Sequence, residues 1–270
     1  MEIWDVHHHW VNETGYIDRL LRQMDDLGVE RLGLIAMGPI TQDIFVIHEP
    51  SGTSTDNNDL AELLRRHGDR IWGYGYIRPG FSTPDDVDRM ADMGMTGLKF
   101  TLPAKPYGEE EYFELYERAS RHHLPCLFHT GIINLGRPMP GHGIRSENYR
   151  PIHLEPLAQQ FPDLTIICAH LGVCWTEEAA ALCRMFPNIY ADLSGRNDGW
   201  RSGKSIDWFK EMLFWRGAHE KVLFGSDVHA DEMADTLEDY LRILRGMGWS
   251  ESQIADVLAN NARRIFDSRP

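Results

Sequence analysis

The chain has 270 residues, enough for one α/β barrel or for two modest domains. Lys and Arg number 27 against 41 Asp and Glu, a net charge of −14, so the global field repels phosphate backbones and anionic lipid and argues against nucleic-acid and membrane partners. With 42% hydrophobic and 25% charged residues the composition is that of a globular protein, and no apolar run approaches the about 20 residues of a spanning helix.

In chain order, short apolar runs alternate with amphipathic stretches. The first run, 3–7, lies in MEIWDVHHHW, which has no basic segment leading into an apolar core and does not read as a secretory signal. A helix is predicted at 16–27, a strand at 31–37, a helix at 59–67, a strand at 71–77 and a helix at 83–93. Strand 96–100, helix 110–122, strand 125–129, helix 152–161, strand 164–170 and helix 176–185 follow. The series ends with strand 189–193, helix 206–217, strand 221–226, helix 235–247 and a further helix at 250–266, whose apolar set is Ile254, Val257, Leu258, Ala262, Ile265 and Phe266. Ser82-Thr83-Pro84-Asp85 is a helix start with a polar cap and an early proline, and Gly28, Gly68 and Gly94 close three helices. The near-continuous apolar run from Leu164 to Ala169 suits a strand covered on both faces.

Eight such units predict a single-domain (β/α)8 TIM barrel over 1–270 with an extra C-terminal helix. An open doubly wound sheet is the alternative, but no GxGxxG turn follows the first strand. Loops 38–58 and 131–150 follow strand C-termini, the face where barrel enzymes build their sites, and are expected to wall a pocket. Cys126, Cys168, Cys174 and Cys183 show neither CxxC spacing nor a disulfide framework, so a reducing cytoplasm is the expected compartment.

Metal-competent side chains end strand after strand. Alternation in Asp5-Val6-His7-His8-His9 sets His7 and His9 on one side and His8 on the other. Lys99 ends the fourth strand, His129 the fifth, His170 the sixth and Asp227 the eighth. A lone strand-end histidine packs more often than it ligates. Burying this many titratable groups together, however, costs several kcal/mol unless a divalent cation coordinates neutral imidazoles and a carboxylate.

With these residues the sequence resembles the amidohydrolase superfamily, and within it the amidohydrolase-2 branch, which holds aminocarboxymuconate-semialdehyde decarboxylase, resorcylate decarboxylases and several lactone and C–C-bond hydrolases. The likeness extends through Phe161-Pro162-Asp163-Leu164, Ala169-His170-Leu171-Gly172, PNIYADLSG at 187–195, Leu223-Phe224-Gly225-Ser226-Asp227 and NNARRIF at 260–266, and so covers essentially the whole chain. The resemblance implies one divalent ion, zinc before manganese, held by His7, His9, His129 and Asp227, with His170 and Asp227 catalytic. Lys99 has three readings: carboxylated bridge to a second metal, substrate contact, or salt-bridged barrel lysine. Arg137, His142, Arg145 and Arg150 in the fifth loop and Arg196 after the seventh strand are candidate carboxylate contacts, since a planar guanidinium holds a carboxylate through two bonds. Asp192 is a candidate orienting group, while Trp4 and Trp72 read as barrel packing. The expected function is hydrolysis of a small, cyclic or carboxylated metabolite by metal-activated water. A non-oxidative decarboxylase on the same site and a catalytically silent metal-binding barrel are the alternatives, and a homodimer is what the family implies.

Overall fold

Runs rich in Val, Ile, Leu and aromatic residues form strands, and each amphipathic stretch lays its apolar stripe back on the sheet. The structure is a computed structural model that describes residues 1–38, 55–133, 141 and 143–267. The strands are β1 (Ile3–His9), β2 (Val29–Ile35), β3 (Ile71–Ile77), β4 (Gly97–Phe100), β5 (Cys126–Phe128), β6 (Ile166–Cys168), β7 (Ile189–Asp192) and β8 (Val222–Leu223). They pair in parallel in sequence order. Val6 N donates to Phe224 O (2.9 Å) and Asp227 N to His7 O (2.7 Å), bringing β8 back to β1, so the fold is a (β/α)8 barrel and not an open sheet. The helices are α1 (Tyr16–Leu27), α2 (Asn57–His67), α3 (Pro84–Asp92), α4 (Phe113–Arg121), α5 (Glu155–Gln160), α6 (Thr176–Met185), α7 (Ile206–Met212) and α8 (Met233–Gly246). Beyond them lie α9 (Glu251–Ala255) and α10 (Asn261–Phe266). Among the described residues no helix is long and apolar enough to cross a membrane.

The differences from the sequence expectation have local causes. The eighth strand was expected over 221–226, but Phe224 N donates to Val257 O (2.9 Å), Gly225 N to the Tyr240 hydroxyl (3.4 Å) and Ser226 N to Asp5 Oδ1 (3.0 Å). Those amides are engaged elsewhere, so the ladder to β7 stops after two residues. The sixth strand ends early because His170 and Leu171 adopt left-handed backbone (φ 59° and 45°). The single helix expected at 250–266 is divided by a π-helical turn, Asp256–Asn260. Most of the two long loops lies outside the described residues.

Two apolar bodies form. One lies between sheet and helices. The other fills the lumen with Trp4, Val6, Trp72, Tyr74, Leu127, Ile167 and Leu223, and Phe266 of α10 closes its lower mouth, 4.7 Å from the Trp72 ring and 5.9 Å from that of Tyr74. The C-terminal helices therefore act as a floor. β1 changes phase between floor and mouth. Asp5 pairs with Leu32 and His8 with Leu34, so β1 spends three residues where β2 spends two. This bulge lets Trp4 and Val6 pack in the lumen and still turns His7 and His9 inward above them.

Gly33 faces the same lumen, and a Cβ there would lie 2.5 Å from Tyr74 Cε2 and 2.8 Å from Trp72 Cε2. Gly33→Ala is expected to lower stability by about 1–3 kcal/mol through overpacking, read as a lower midpoint in urea with an unchanged slope. An unchanged midpoint would mean that the aromatic layer is not tightly packed.

Candidate active site

The polar mouth is assembled by the phase of each strand. Lys99 on β4 lies in register with Leu127 on β5, and the next lumen positions upward are Thr101 and His129. On β7 the lumen-facing series Tyr190, Asp192 ends on Asp192, and Ser194 continues it two residues on. His170 and Asp227 reach the lumen through left-handed backbone (φ 59° and 50°), a strained conformation that fixed hydrogen bonds hold. His170 N donates to Asp192 Oδ1 (2.7 Å), and Asp227 N to His7 O. Gly131 serves the same face: its φ is 103°, and a Cβ there would lie 1.9 Å from Val173 O, so only glycine lets the loop after β5 pass that after β6.

A cavity of about 370 Å³ opens at this mouth, bordered by His9, Lys99, His129, His170 and Asp227, with Thr101 beside them and Val11, Ile132, Val173 and Trp200 as apolar wall. His7 lies beneath, fully buried. Ligand atoms of His7, His9 and Asp227 all lie within 4.8 Å of one another. His9 Nε2 is 3.4 Å and His7 Nε2 3.7 Å from Asp227 Oδ1. His129, assigned to the same ion by resemblance, falls outside this group. Its Nε2 is nevertheless buried and has no hydrogen-bond partner among the described residues, an arrangement that calls for a ligand.

A second group, His7, His170 and Asp192, is a buried hydrogen-bonded cluster. Asp192 Oδ2 accepts from His7 Nδ1 (2.9 Å), and its Oδ1 accepts from Ser194 Oγ (2.5 Å) and Ser194 N (3.0 Å) as well as from His170 N. Burial pushes the Asp192 carboxyl up, but His7, His170 and Ser194 together hold it well below the usual carboxylate range. Burial lowers His9 and His129 well below the ordinary imidazole value, with Lys99 and neighbouring histidines adding to it, and it lowers His170 against the pull of Asp227 and Asp192. Neutral imidazoles beside a carboxylate are the donor set of a divalent ion. Lys99 is the complication. Its Nζ lies 2.8 Å from His7 Nε2, and burial brings it down to about 8 against Asp227 and Asp192. The site fits an ion once Lys99 yields that lone pair.

The other candidates separate clearly. His8 faces outward, between Ser226 Oγ (2.8 Å) and the Tyr16 hydroxyl (2.7 Å), and burial lowers it to about 3. Asp5 is also structural: its Oδ1 accepts from His7 N and Ser226 N, tying β1 to β8, and burial raises it to about 6. Arg150 pairs with Glu178 and is not among the described residues that border the cavity. Arg145 is exposed and is not among the described residues that border the cavity. Arg196 borders the rim, where its guanidinium is engaged by Asp198 (2.9 Å). Arg137 and His142 lie outside the described residues. Sequence reasoning missed Ser194, whose only signal was its position two residues beyond Asp192. It also missed Thr101, whose Oγ1 is buried without a hydrogen-bond partner among the described residues at the cavity edge.

The family model described as Amidohydrolase matches residues 4–267. No curated protein matches the chain. Among solved structures the chain is similar to an uncharacterised TIM-barrel protein from Bordetella bronchiseptica, at TM-score 0.74 and 16% identity over 99% of each chain. It is similar to a probable 2-pyrone-4,6-dicarboxylic acid hydrolase from Acinetobacter baumannii, at TM-score 0.65 and 13% identity over 99% of this chain and 100% of that one. It is also similar to 5-carboxyvanillate decarboxylase from Sphingomonas paucimobilis, at TM-score 0.65 and 17% identity over 98% and 99%. At these identities the likeness shows the fold.

The grouping of donor atoms makes a prediction for metal content. After reconstitution with zinc and with manganese in parallel, His7→Ala and Asp227→Ala should each lose the ion, whereas Arg150→Ala should keep it. Elemental analysis of desalted protein decides, and full occupancy in Asp227→Ala would remove Asp227 from the ligand set.

Proposed function

Because this chain belongs to the amidohydrolase family and is an enzyme of the hydrolase or carboxy-lyase type, we propose that it hydrolyses a small cyclic or carboxylated metabolite with a divalent ion held by His7, His9 and Asp227, and with His129 bordering the same mouth. The observation that carries this reading is the convergence of two imidazoles and one carboxylate at the cavity in the barrel mouth, with His170 beside Asp227 (Nδ1 to Oδ2, 3.7 Å). A bound divalent ion supplies Lewis acidity, lowering the pKa of a water toward about 7 and polarising a carbonyl. Zinc is the first choice and manganese the second, since an N/O donor set accepts both.

The chain's own groups do the remaining work. Asp227 can accept the proton of the attacking water on the oxygen turned away from His9. His170 stands next to it, Nδ1 to Oδ2 3.7 Å, and steadies this carboxyl, which can hand the proton on to the leaving oxygen or nitrogen, a general-acid role worth about 10²–10⁴ in rate. The Thr101 hydroxyl is free to bond a substrate oxygen. Val11, Val173 and Trp200 keep bulk water away and give a flat substrate an apolar wall.

Decarboxylation is the second reading, and Lys99 favours it. A buried ammonium at the foot of an apolar-walled cavity can hold a carboxylate or phenolate while a neighbouring acid protonates carbon. Metal-reconstituted protein tested on lactone, ester and amide panels should release acid if the first reading holds. Release of carbon dioxide from hydroxylated aromatic acids alone would transfer the assignment to the second. Neither product, with metal bound, would leave a silent barrel. His170→Asn is expected to retain its metal and lose about 10²–10⁴ in kcat with little change in KM. An empty site in this variant would make His170 a ligand instead.

A further inference from the structure

Ser194 is fully buried, and its Oγ lies 2.5 Å from Asp192 Oδ1, 2.9 Å from His170 Nδ1 and 3.1 Å from His7 Nδ1. A hydroxyl has one proton to give. Asp192, ionised, can only accept, so Ser194 donates to it and meets His170 with a lone pair. His170 Nδ1 must then be the protonated nitrogen. The Ser194 carbonyl, 3.3 Å from the same Nδ1 and likewise only an acceptor, makes the same demand. His7 Nδ1 donates to Asp192 Oδ2, and its Nε2 accepts from the Lys99 ammonium.

The consequence travels one ring further. With its proton on Nδ1, a neutral His170 has a lone pair on Nε2, and this atom faces His129 Nδ1 at 3.3 Å. His129 Nδ1 is therefore the donor, and the proton-free atom of that ring is Nε2, the buried nitrogen with no hydrogen-bond partner among the described residues. The geometry points to Ser194 as a positioning residue that, together with Asp192, sets the tautomers of His7, His170 and His129 so that Nε2 is the proton-free nitrogen of both His7 and His129. Ser194 is not a nucleophile here, because its proton is committed to Asp192 and its oxygen is sealed from the cavity. The link between Ser194 and His129 is indirect and runs through His170 alone.

The catalytic meaning rests on the function proposed above, but the tautomers do not depend on it and can be read without metal or substrate. The experiment uses the full chain labelled with ¹⁵N-histidine, freed of metal by chelation, with long-range ¹H–¹⁵N correlation spectra assigned through single histidine variants. Wild type should show His7, His170 and His129 all protonated on Nδ1. In Ser194→Ala one acceptor for His170 is gone, so its other tautomer should gain about tenfold in relative population. His129 should follow although Ser194 does not touch it, and Ser194→Thr, which keeps the hydroxyl, should restore the wild-type pattern. A role confined to packing would move the melting temperature and leave the tautomers alone. Protonation of His170 on Nε2 in the wild type overturns the inference even if the alanine variant fails to fold, and so do unchanged populations in a folded Ser194→Ala.

Discussion

The Asp192 carboxylate is the constraint on which the mouth of this barrel depends. It is fully buried and accepts from a β1 imidazole, from the backbone where β6 ends, and from both the backbone and the hydroxyl of Ser194. An isolated carboxylate in that place would be expelled or protonated. Surrounded by donors it stays charged, and in staying charged it holds three strand ends at one spacing. The left-handed turn at His170 follows from the same bond, since the amide that reaches Asp192 is that of His170 itself. A parallel clamp lies one shell out, where Tyr240 of α8 accepts from Leu193 N (2.8 Å) and donates to Gly225 O (3.2 Å), and Arg201 donates to the carbonyls of Leu193 (2.6 Å) and Gly195 (2.9 Å).

This polar end is stable only because the other end is dry. Trp4, Trp72, Tyr74 and Phe266 fill the lower lumen, and the C-terminal helices close it. The β1 bulge reconciles the two halves. Without the extra residue, a strand that packs Trp4 and Val6 inward would turn His7 and His9 out toward the helices. One inserted residue thus separates a packing strand from a ligand strand. The same architecture explains why hydrolysis and decarboxylation both suit the site: each requires a cation-binding floor, a group that moves a proton and walls that exclude water, and differs in what the substrate presents.

Much of the site was legible from strand phase. His7, His9, Lys99, His129, His170 and Asp227 stand at strand ends in the sequence and around one mouth in the structure, and the alternation of strands and helices anticipates eight parallel strands. The arginines were less legible. Arg150 and Arg196 sit in or beside loops, where no period says which way a side chain turns, and each is engaged by a nearby carboxylate, Glu178 and Asp198. Ser194 was least legible, its one signal being its place two residues beyond Asp192, because a serine acquires a role only from the atoms around it.

By itself, then, the sequence determined the class of fold, the order of its elements, the net acidic charge, and the set of metal-competent side chains, since each of these follows from composition or local period. Tertiary structure decided the rest: the bulge that turns β1, the early end of β8, the engagement of Lys99 with His7, and the network that joins Asp192 and Ser194 to three histidines. The physical reason is that hydrophobic period is a property of neighbours along the chain. Hydrogen-bond partners in this mouth come from β1, β4 and the ends of β5, β6 and β7, and they are chosen only when the barrel closes and brings those ends within about 3 Å of one another.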